Sequence, residues 1–287
     1  MLKTCLQTPS FMLIDSHIHL DDPRFDADRQ LLLSNARQAG IAGWVVPAIS
    51  AHYWSRLSAV CTQHPHCFAS YGIHPLFLSD YQSIHLQQLD ALLTNNNTMA
   101  NAIAVGECGL DLYANKDRGS SEYALQKTVF AGQLQLAKAC NLPIIIHARG
   151  AVEDVILMIQ DSGHHNGVVH SYNGSYEQAK RLMDLGYSLG FGGAVTYSRA
   201  TRLRKLVTQL PDDALLIETD APDQPDAEHT DSRHEPARLS VIAASLAALR
   251  QIDLATFQAV TTRNAINRFN LGLSATGITA TPAPGLQ

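Results

Sequence analysis

Short apolar segments rich in Val, Ile and Leu recur along the chain, separated by longer stretches in which apolar residues return every three or four positions. The apolar segments predict strands near 12–18, 43–48, 67–73, 102–107, 142–147, 167–171, 187–192 and 214–219. Several are unbroken runs, such as Leu142-Pro143-Ile144-Ile145-Ile146. A run without alternation fits a parallel strand buried on both faces. The stretches between predict helices, among them 26–39, with Leu31, Leu32 and Ala36 on one stripe, and 121–139. Two further helices, at about 236–250 and 254–268, follow the last strand. The order predicts an α/β fold, a distorted (β/α)8 TIM barrel with extra C-terminal helices. An open doubly wound sheet fits less well, because the first strand runs into Asp15-Ser16-His17-Ile18-His19 with no glycine-rich phosphate loop. One barrel domain is expected over 12–270, with 1–11 a flexible N-terminal extension and 271–287 a flexible tail.

Composition agrees with that architecture. A barrel needs about 250 residues, and 287 are present, 46% of them hydrophobic and 16% charged, which excludes a disordered chain. The net charge of −5 argues against a strongly basic nucleic-acid binder but leaves room for an enzyme that grips a few phosphates. Cysteines 5, 61, 67, 108 and 140 form no CxxC pair, so neither a disulfide framework nor a thiolate zinc site is indicated, and the reducing cytoplasm is the expected location. No apolar run reaches the roughly 20 residues of a membrane span. No protein partner is indicated, and a monomer is expected.

The chemistry lies at the strand ends, where barrel enzymes gather their catalytic groups. His17 and His19 close the first apolar run, and residues two apart in an extended segment face the same side. Glu107 follows Ala104-Val105-Gly106, and a carboxylate after a buried strand is costly unless paired or coordinated. It could place one oxygen on each of two ions. His147 follows Ile144-Ile145-Ile146, His170 follows Val168-Val169, and Asp220 ends the segment from Leu215. Four imidazoles and two carboxylates form the mixed nitrogen and oxygen set suited to Zn²⁺, Mn²⁺ or Mg²⁺. Cys108 is expected to pack as a small hydrophobe. His74, just past the third strand, is a candidate for substrate phosphate or an outer contact, whereas His64, His66, His164 and His165 lie in polar connections and are expected in solvent. Arg149 could bind phosphate or pair with Glu153 or Asp154, the basic cluster around Arg199 and Arg202 could guide a phosphate backbone, and Tyr172 could stack on a base or sugar.

These segments resemble the TatD family of metal-dependent deoxyribonucleases. The resemblance runs from about Met12 to Phe269 through DSHIHLD at 15–21, GIHP at 72–75, GECGLD at 106–111, IHAR at 146–149, GGAVTY at 192–197 and ETDAP at 218–222, with Asn264 and Phe269 in the terminal helix. It implies two divalent metal ions, His17 and His19 on one with Asp220 nearby, Glu107 bridging to a second held by His147 and His170, and His74 and Arg149 near the substrate. It also implies phosphoester hydrolysis, with DNA (the family includes 3′-to-5′ exonucleases) or a small phosphodiester as substrate. Asp220 is the candidate general base. Two departures stand out. Ser171 occupies the place where the family often has Cys, and the loop Asp223–Asp231 is acidic where the family carries aromatic or basic residues. The alternatives to weigh are a hydrolase of a small ester or amide, and a metal-binding barrel without catalysis.

Overall fold

The structure, a computed structural model, describes residues 12–94, 99–113 and 117–273, so the extension 1–11 and the tail from Ser274 lie outside the described residues. Eight parallel strands follow one another around a single sheet: β1 (Leu13–Asp15), β2 (Ile41–Pro47), β3 (Cys67–Tyr71), β4 (Ala102–Asp111), β5 (Ile144–Arg149), β6 (Gly167–Val169), β7 (Tyr187–Phe191) and β8 (Leu215–Ile217). Between β8 and β1 the ring is completed by backbone hydrogen bonds from Ser16 to the Ile217 carbonyl (3.0 Å) and from Asp220 to the His17 carbonyl (2.9 Å). The buried Asp15 side chain adds to this seam, accepting from the Thr219 amide (3.0 Å) and hydroxyl (2.6 Å). Each apolar run overlaps a strand, but β1, β3, β6 and β8 stop two or three residues early, β4 runs on to Asp111 and β5 is shifted two residues along, to Ile144–Arg149.

The pleat explains why both faces of these runs are apolar. Ile14, Val45, Ala104, Ile145, Val168 and Leu216 cluster inside the barrel. Their neighbours Leu13, Trp44, Val46, Val105, Ile144, Ile146, Val169, Leu215 and Ile217 face the surrounding helices. Helix α9 (Leu254–Phe269) continues the inner cluster with Ala265 and Phe269, followed by Leu271. Asn264 anchors it by donating to the carbonyls of Asp212 (2.7 Å) and Leu215 (2.9 Å), and Thr262 donates to the carbonyl of Met12. The end of the barrel where the strands begin is thereby filled, which leaves the opposite end for chemistry.

The outer layer holds α1 (Arg29–Gln38), α2 (Trp54–Gln63), α3 (Ile84–Thr94), α4 (Ser121–Ala139), α5 (Val152–Ser162), α6 (Tyr176–Asp184), α7 (Thr201–Gln209) and α8 (Leu239–Arg250). Helix α4 spans the predicted residues and starts at Ser120, whose side chain accepts from the Tyr123 amide. Helix α1 corrects the expected stripe: Leu32, Leu33 and Ala36 are buried, while Leu31 is 61% exposed. One step along a helix turns a side chain by about 100°, so Leu31 and Leu33 cannot share a narrow contact face equally. His164 is likewise not in solvent. It is buried, with its imidazole 2.8 Å from the Tyr187 hydroxyl and 3.0 Å from the Leu142 carbonyl. Among the described residues no single helix is long and apolar enough to cross a membrane.

Candidate metal centre

The pleat also aims the strand-end residues. Ile145 faces the barrel interior, so His147, two residues on, faces the open mouth, and Val168 and His170 repeat the pattern. From Leu216 the same parity reaches Glu218 and then Asp220. Glu107 would not fall on this parity from Ala104, but the pairing of β4 with β5 slips between Val105 and Cys108. Such an irregularity re-aims the following side chain, here to the centre of the mouth. Gly106, inside the slip, makes it possible: its φ is +139°, and a Cβ there would lie 2.6 Å from the Ile145 carbonyl oxygen. Cys108 turns the other way, buried with its thiol near the Ile145 carbonyl.

Glu107 divides the cluster in two. Its Oε2 lies 3.1 Å from His17 Nε2 and 3.5 Å from His19 Nε2, both of which are 3.4 Å from Asp220 Oδ1. Its Oε1 lies 2.8 Å from His170 Nε2, 3.2 Å from His147 Nδ1 and 3.1 Å from His74 Nε2. The other ring nitrogens decide which of these positions offer lone pairs. His19 Nδ1 is 3.2 Å from the Pro47 carbonyl, an acceptor only, so the proton sits there and Nε2 presents its lone pair. His147 Nε2 is held by Asp111 Oδ2 at 2.9 Å, which leaves Nδ1 to face inward. His170 turns Nδ1 toward Glu218. His74 is the opposite case. Its Nδ1 accepts from the Leu76 amide, so Nε2 carries a proton and donates to Glu107, which makes His74 an outer contact.

This arrangement fits a bound cation. His17 Nε2 and His19 Nε2 approach to 3.3 Å, and His147 Nδ1 and His170 Nε2 to 3.2 Å, with the lone pairs turned toward shared space. Such contacts are repulsive unless a proton or a metal ion lies between. Among the described residues, three sets of side chains have ligand atoms close enough to serve one ion: His17, His170 and Asp220; His17, His19 and Glu107; and His74, Glu107 and His147. The electrostatics agree. Burial opposes charge on His170, but Glu107 and Glu218 hold its imidazole well above the ordinary histidine range. Burial likewise opposes charging His19, yet Asp220 and Glu107 raise it to about 9. His17 is pushed down by burial and by the adjacent His170. Burial works against ionised Glu107 and Asp220, but the surrounding imidazoles hold both carboxyl groups well below their usual range. The pocket therefore favours carboxylates and demands a positive partner.

Three positioning residues escaped the sequence reading: Asp111, which holds His147; Glu218, which stands behind His170 and accepts from the Ser171 amide; and Gln224, whose amide donates to Asp220 Oδ2. Glu218 was signalled by its place two residues before Asp220, on the same strand face, and Asp111 by its even spacing from Glu107. Glu218 has room because residue 190 is Gly: a Cβ there would lie 2.2 Å from its carboxylate. Gln224 carried no such signal.

Two cavities open beside the centre, one of about 660 Å³ and one of about 480 Å³, sharing His147, Arg149 and Gln224 on the ridge between them. Arg149 is exposed and lies over the Tyr113 ring at 4.4 Å. Neither carboxylate considered for it is available, since Asp154 pairs with Arg118 and Lys127 and Glu153 with Arg181. Arg202 lines the larger cavity but uses its donors on Asn173 and the Gly174 carbonyl. Tyr172 is 2% exposed, its hydroxyl donating to the Ser175 carbonyl, so it forms wall and presents no open ring face for stacking. Arg199 is exposed over the Tyr197 ring at 5.0 Å and lines neither cavity. The acidic loop folds onto arginines: Asp223 onto Arg24, and the buried Asp226 with Glu228 onto Arg238.

Residues 14–270 match the model of a family described as TatD related DNase. An uncharacterised metal-dependent hydrolase of Escherichia coli K12, YjjV, is 35% identical over 239 residues, 83% of this chain and 90% of its own length. The crystal structure of that protein, described as a TatD homologue, superposes with a TM-score of 0.85 at 33% identity, covering 91% of this chain and 99% of the other. A 3′-5′ ssDNA/RNA exonuclease TatD of Rahnella sp. strain Y9602 is 31% identical over 262 residues, 88% of this chain and 97% of its own length. With its eight-stranded barrel and its cluster of histidines and carboxylates, the chain belongs to the TatD-related DNase family and is a divalent-metal-dependent hydrolase.

Proposed function

We propose that this hydrolase cleaves phosphodiester bonds at the 3′ end of single-stranded DNA, using two divalent ions that share Glu107. The observation that carries this reading is the division of the cluster by the two Glu107 oxygens, with His17, His19 and Asp220 on one side and His147 and His170 on the other. Ions bound there would lower the pKa of water and stabilise negative charge on phosphoryl oxygens. Asp220 is the proton acceptor: its Oδ1 faces His17 and His19, while Gln224 holds Oδ2. Arg149, at the ridge between the cavities and free of a carboxylate partner among the described residues, donates to the phosphate. His74, buried and donating to Glu107, keeps that carboxylate oriented. The exonuclease of Rahnella supports the choice of strand and direction by likeness. Free buried thiols at Cys61, Cys67 and Cys108 suit a reducing compartment such as the cytoplasm.

The test is turnover of end-labelled single- and double-stranded DNA after reconstitution with Mg²⁺, Mn²⁺ or Zn²⁺, with His147→Ala as the control for contaminating nuclease. Stepwise products from the 3′ end, absent with the variant, are expected. No cleavage with any ion would move the substrate to a small ester or amide.

A further inference from the structure

The two cavities beside the metal centre have opposite electrical character. The larger carries Arg149, free of a carboxylate partner among the described residues, together with Arg118, paired with Asp154, and Arg202, bonded to Asn173 and Gly174; its one lining carboxylate, Glu153, is paired with Arg181. The smaller carries Asp21, Asp22 and Asp223. Its own cation, Arg24, is already held by two of these, Asp22 at 2.9 Å and Asp223 at 2.8 Å. Asp21 remains. It is 4% exposed; burial opposes its charge and the nearby His19 and Arg56 favour it, yet neither forms a hydrogen bond or ion pair with its carboxylate among the described residues. A buried carboxylate is costly unless it receives a donor, and this one borders a cavity from which a ligand can supply it. Apart from the metal-centre residues, Arg149 and Gln224, the rest of the wall is apolar and aromatic: Ile49, Tyr53, Leu76 and Phe77, the last two 47% and 43% exposed.

An aromatic wall suits a base or sugar ring, and an unpaired carboxylate suits a hydroxyl. Away from the metal centre and Arg149, the side of the cavity formed by Asp21, Asp22 and Asp223 repels a phosphate. At about 480 Å³ the space lies in the range that encloses one small ligand. We infer that the smaller cavity receives the hydroxyl-bearing terminal nucleoside of a strand whose remaining phosphates run through the larger, arginine-lined cavity, and that it rejects an end carrying a terminal phosphate. Asp21 is the acceptor for the terminal hydroxyl, and Asp22 and Asp223 hold Arg24 neutralised so that it attracts no phosphate. This assignment rests on the phosphodiesterase reading above and adds to it the chemical state of the strand end.

The experiment compares two forms of one single-stranded oligodeoxynucleotide, identical except for a 3′-hydroxyl or a 3′-phosphate, by the initial rate of first-nucleotide release with Mn²⁺. The phosphate form is expected to react at least about tenfold more slowly, which corresponds to about 1.4 kcal/mol. Asp223→Asn, at an exposed position, releases Arg24 from one of its two carboxylates and should narrow the ratio severalfold. Asp21→Asn should raise KM for the hydroxyl form more than it lowers kcat. If Asp21→Asn does not fold, Asp223→Asn still decides the matter. Equal wild-type rates on both forms overturn the inference while leaving the phosphodiesterase reading intact, and so does a ratio unchanged by Asp223→Asn. No cleavage of either form overturns both.

Discussion

Gln224 donates its side-chain amide to Oδ2 of Asp220, and its Oε1 accepts from the Ser171 hydroxyl at 2.8 Å. The first bond fixes which way the amide points, since only Nε2 can donate to a carboxylate, and the Ser171 hydroxyl then donates to Oε1. Two departures from the family pattern, the serine after His170 and the loop after Pro222, thus meet in one hydrogen-bonded unit. Ser171 and Gln224 both have positive φ, +45° and +49°, which for side chains other than Gly or Asn carries some strain. Their mutual bond, with that from the Ser171 amide to Glu218, holds both turns in place.

Replacing Gln224 with Leu should lower kcat by about tenfold or more, because a hydrogen bond to a charged group contributes about 1.5–3 kcal/mol. KM should change little, while the thermal midpoint should fall slightly, because the bond that holds the Ser171 and Gln224 turns is lost as well. Steady-state kinetics on one substrate check this. An unchanged kcat would remove Gln224 from the positioning of Asp220.

Asp220→Asn keeps the size of the side chain but loses the carboxylate proposed as proton acceptor. Turnover should fall by about 10²- to 10⁴-fold in a protein whose circular dichroism and metal content match wild type. Full activity in such a protein would assign the base elsewhere.

Metal removal should be visible without any assay of activity. A ligand that binds only the folded state stabilises it by about 2.7 kcal/mol at one hundred times Kd. Chelated protein should therefore gain thermal stability when Mn²⁺ or Zn²⁺ is restored, and Glu107→Gln should lose most of that gain, because Glu107 faces both halves of the cluster. Equal shifts in the two proteins would rule out a shared carboxylate.

Acid stability should depend on Asp226. Burial opposes its charge, but Arg238, bonded to both oxygens at 2.7 Å, lowers its pKa to about 2 from an ordinary 3.8. A carboxyl group with a depressed folded-state pKa stabilises fully above the unfolded value and loses that stabilisation as pH falls through the folded one. The contribution should fade between about pH 4 and pH 2. Asp226→Asn should be less stable at pH 7 and should show a flatter acid profile over that window, measured by urea midpoints. A parallel pair of profiles would count against the assignment.

The barrel was legible because strands buried on both faces are apolar without interruption, so the runs at 142–146 and 214–217 announce themselves. His17, His19, Glu107, His147, His170 and Asp220 were legible for a related reason: a polar residue directly after such a run has no apolar face to join. The arginines were not. Arg149 and Arg202 are equally charged in sequence, and only the loop around Asn173 and Gly174 decides that Arg202 spends its donors on backbone. Tyr172 looked available for stacking until its burial beneath Gly174 was seen, where an added Cβ would lie 2.3 Å from its hydroxyl.

The sequence by itself determined the order of strands and helices and the residue types at the mouth, because these follow from local periodicity and the cost of burying charge. The tertiary structure alone decided the partition: which nitrogen of each histidine faces the centre, which oxygen of Glu107 serves which side, and that Gln224 touches Asp220. Those relations join residues distant along the chain through a register slip and a turn, and hydropathy carries no information about either.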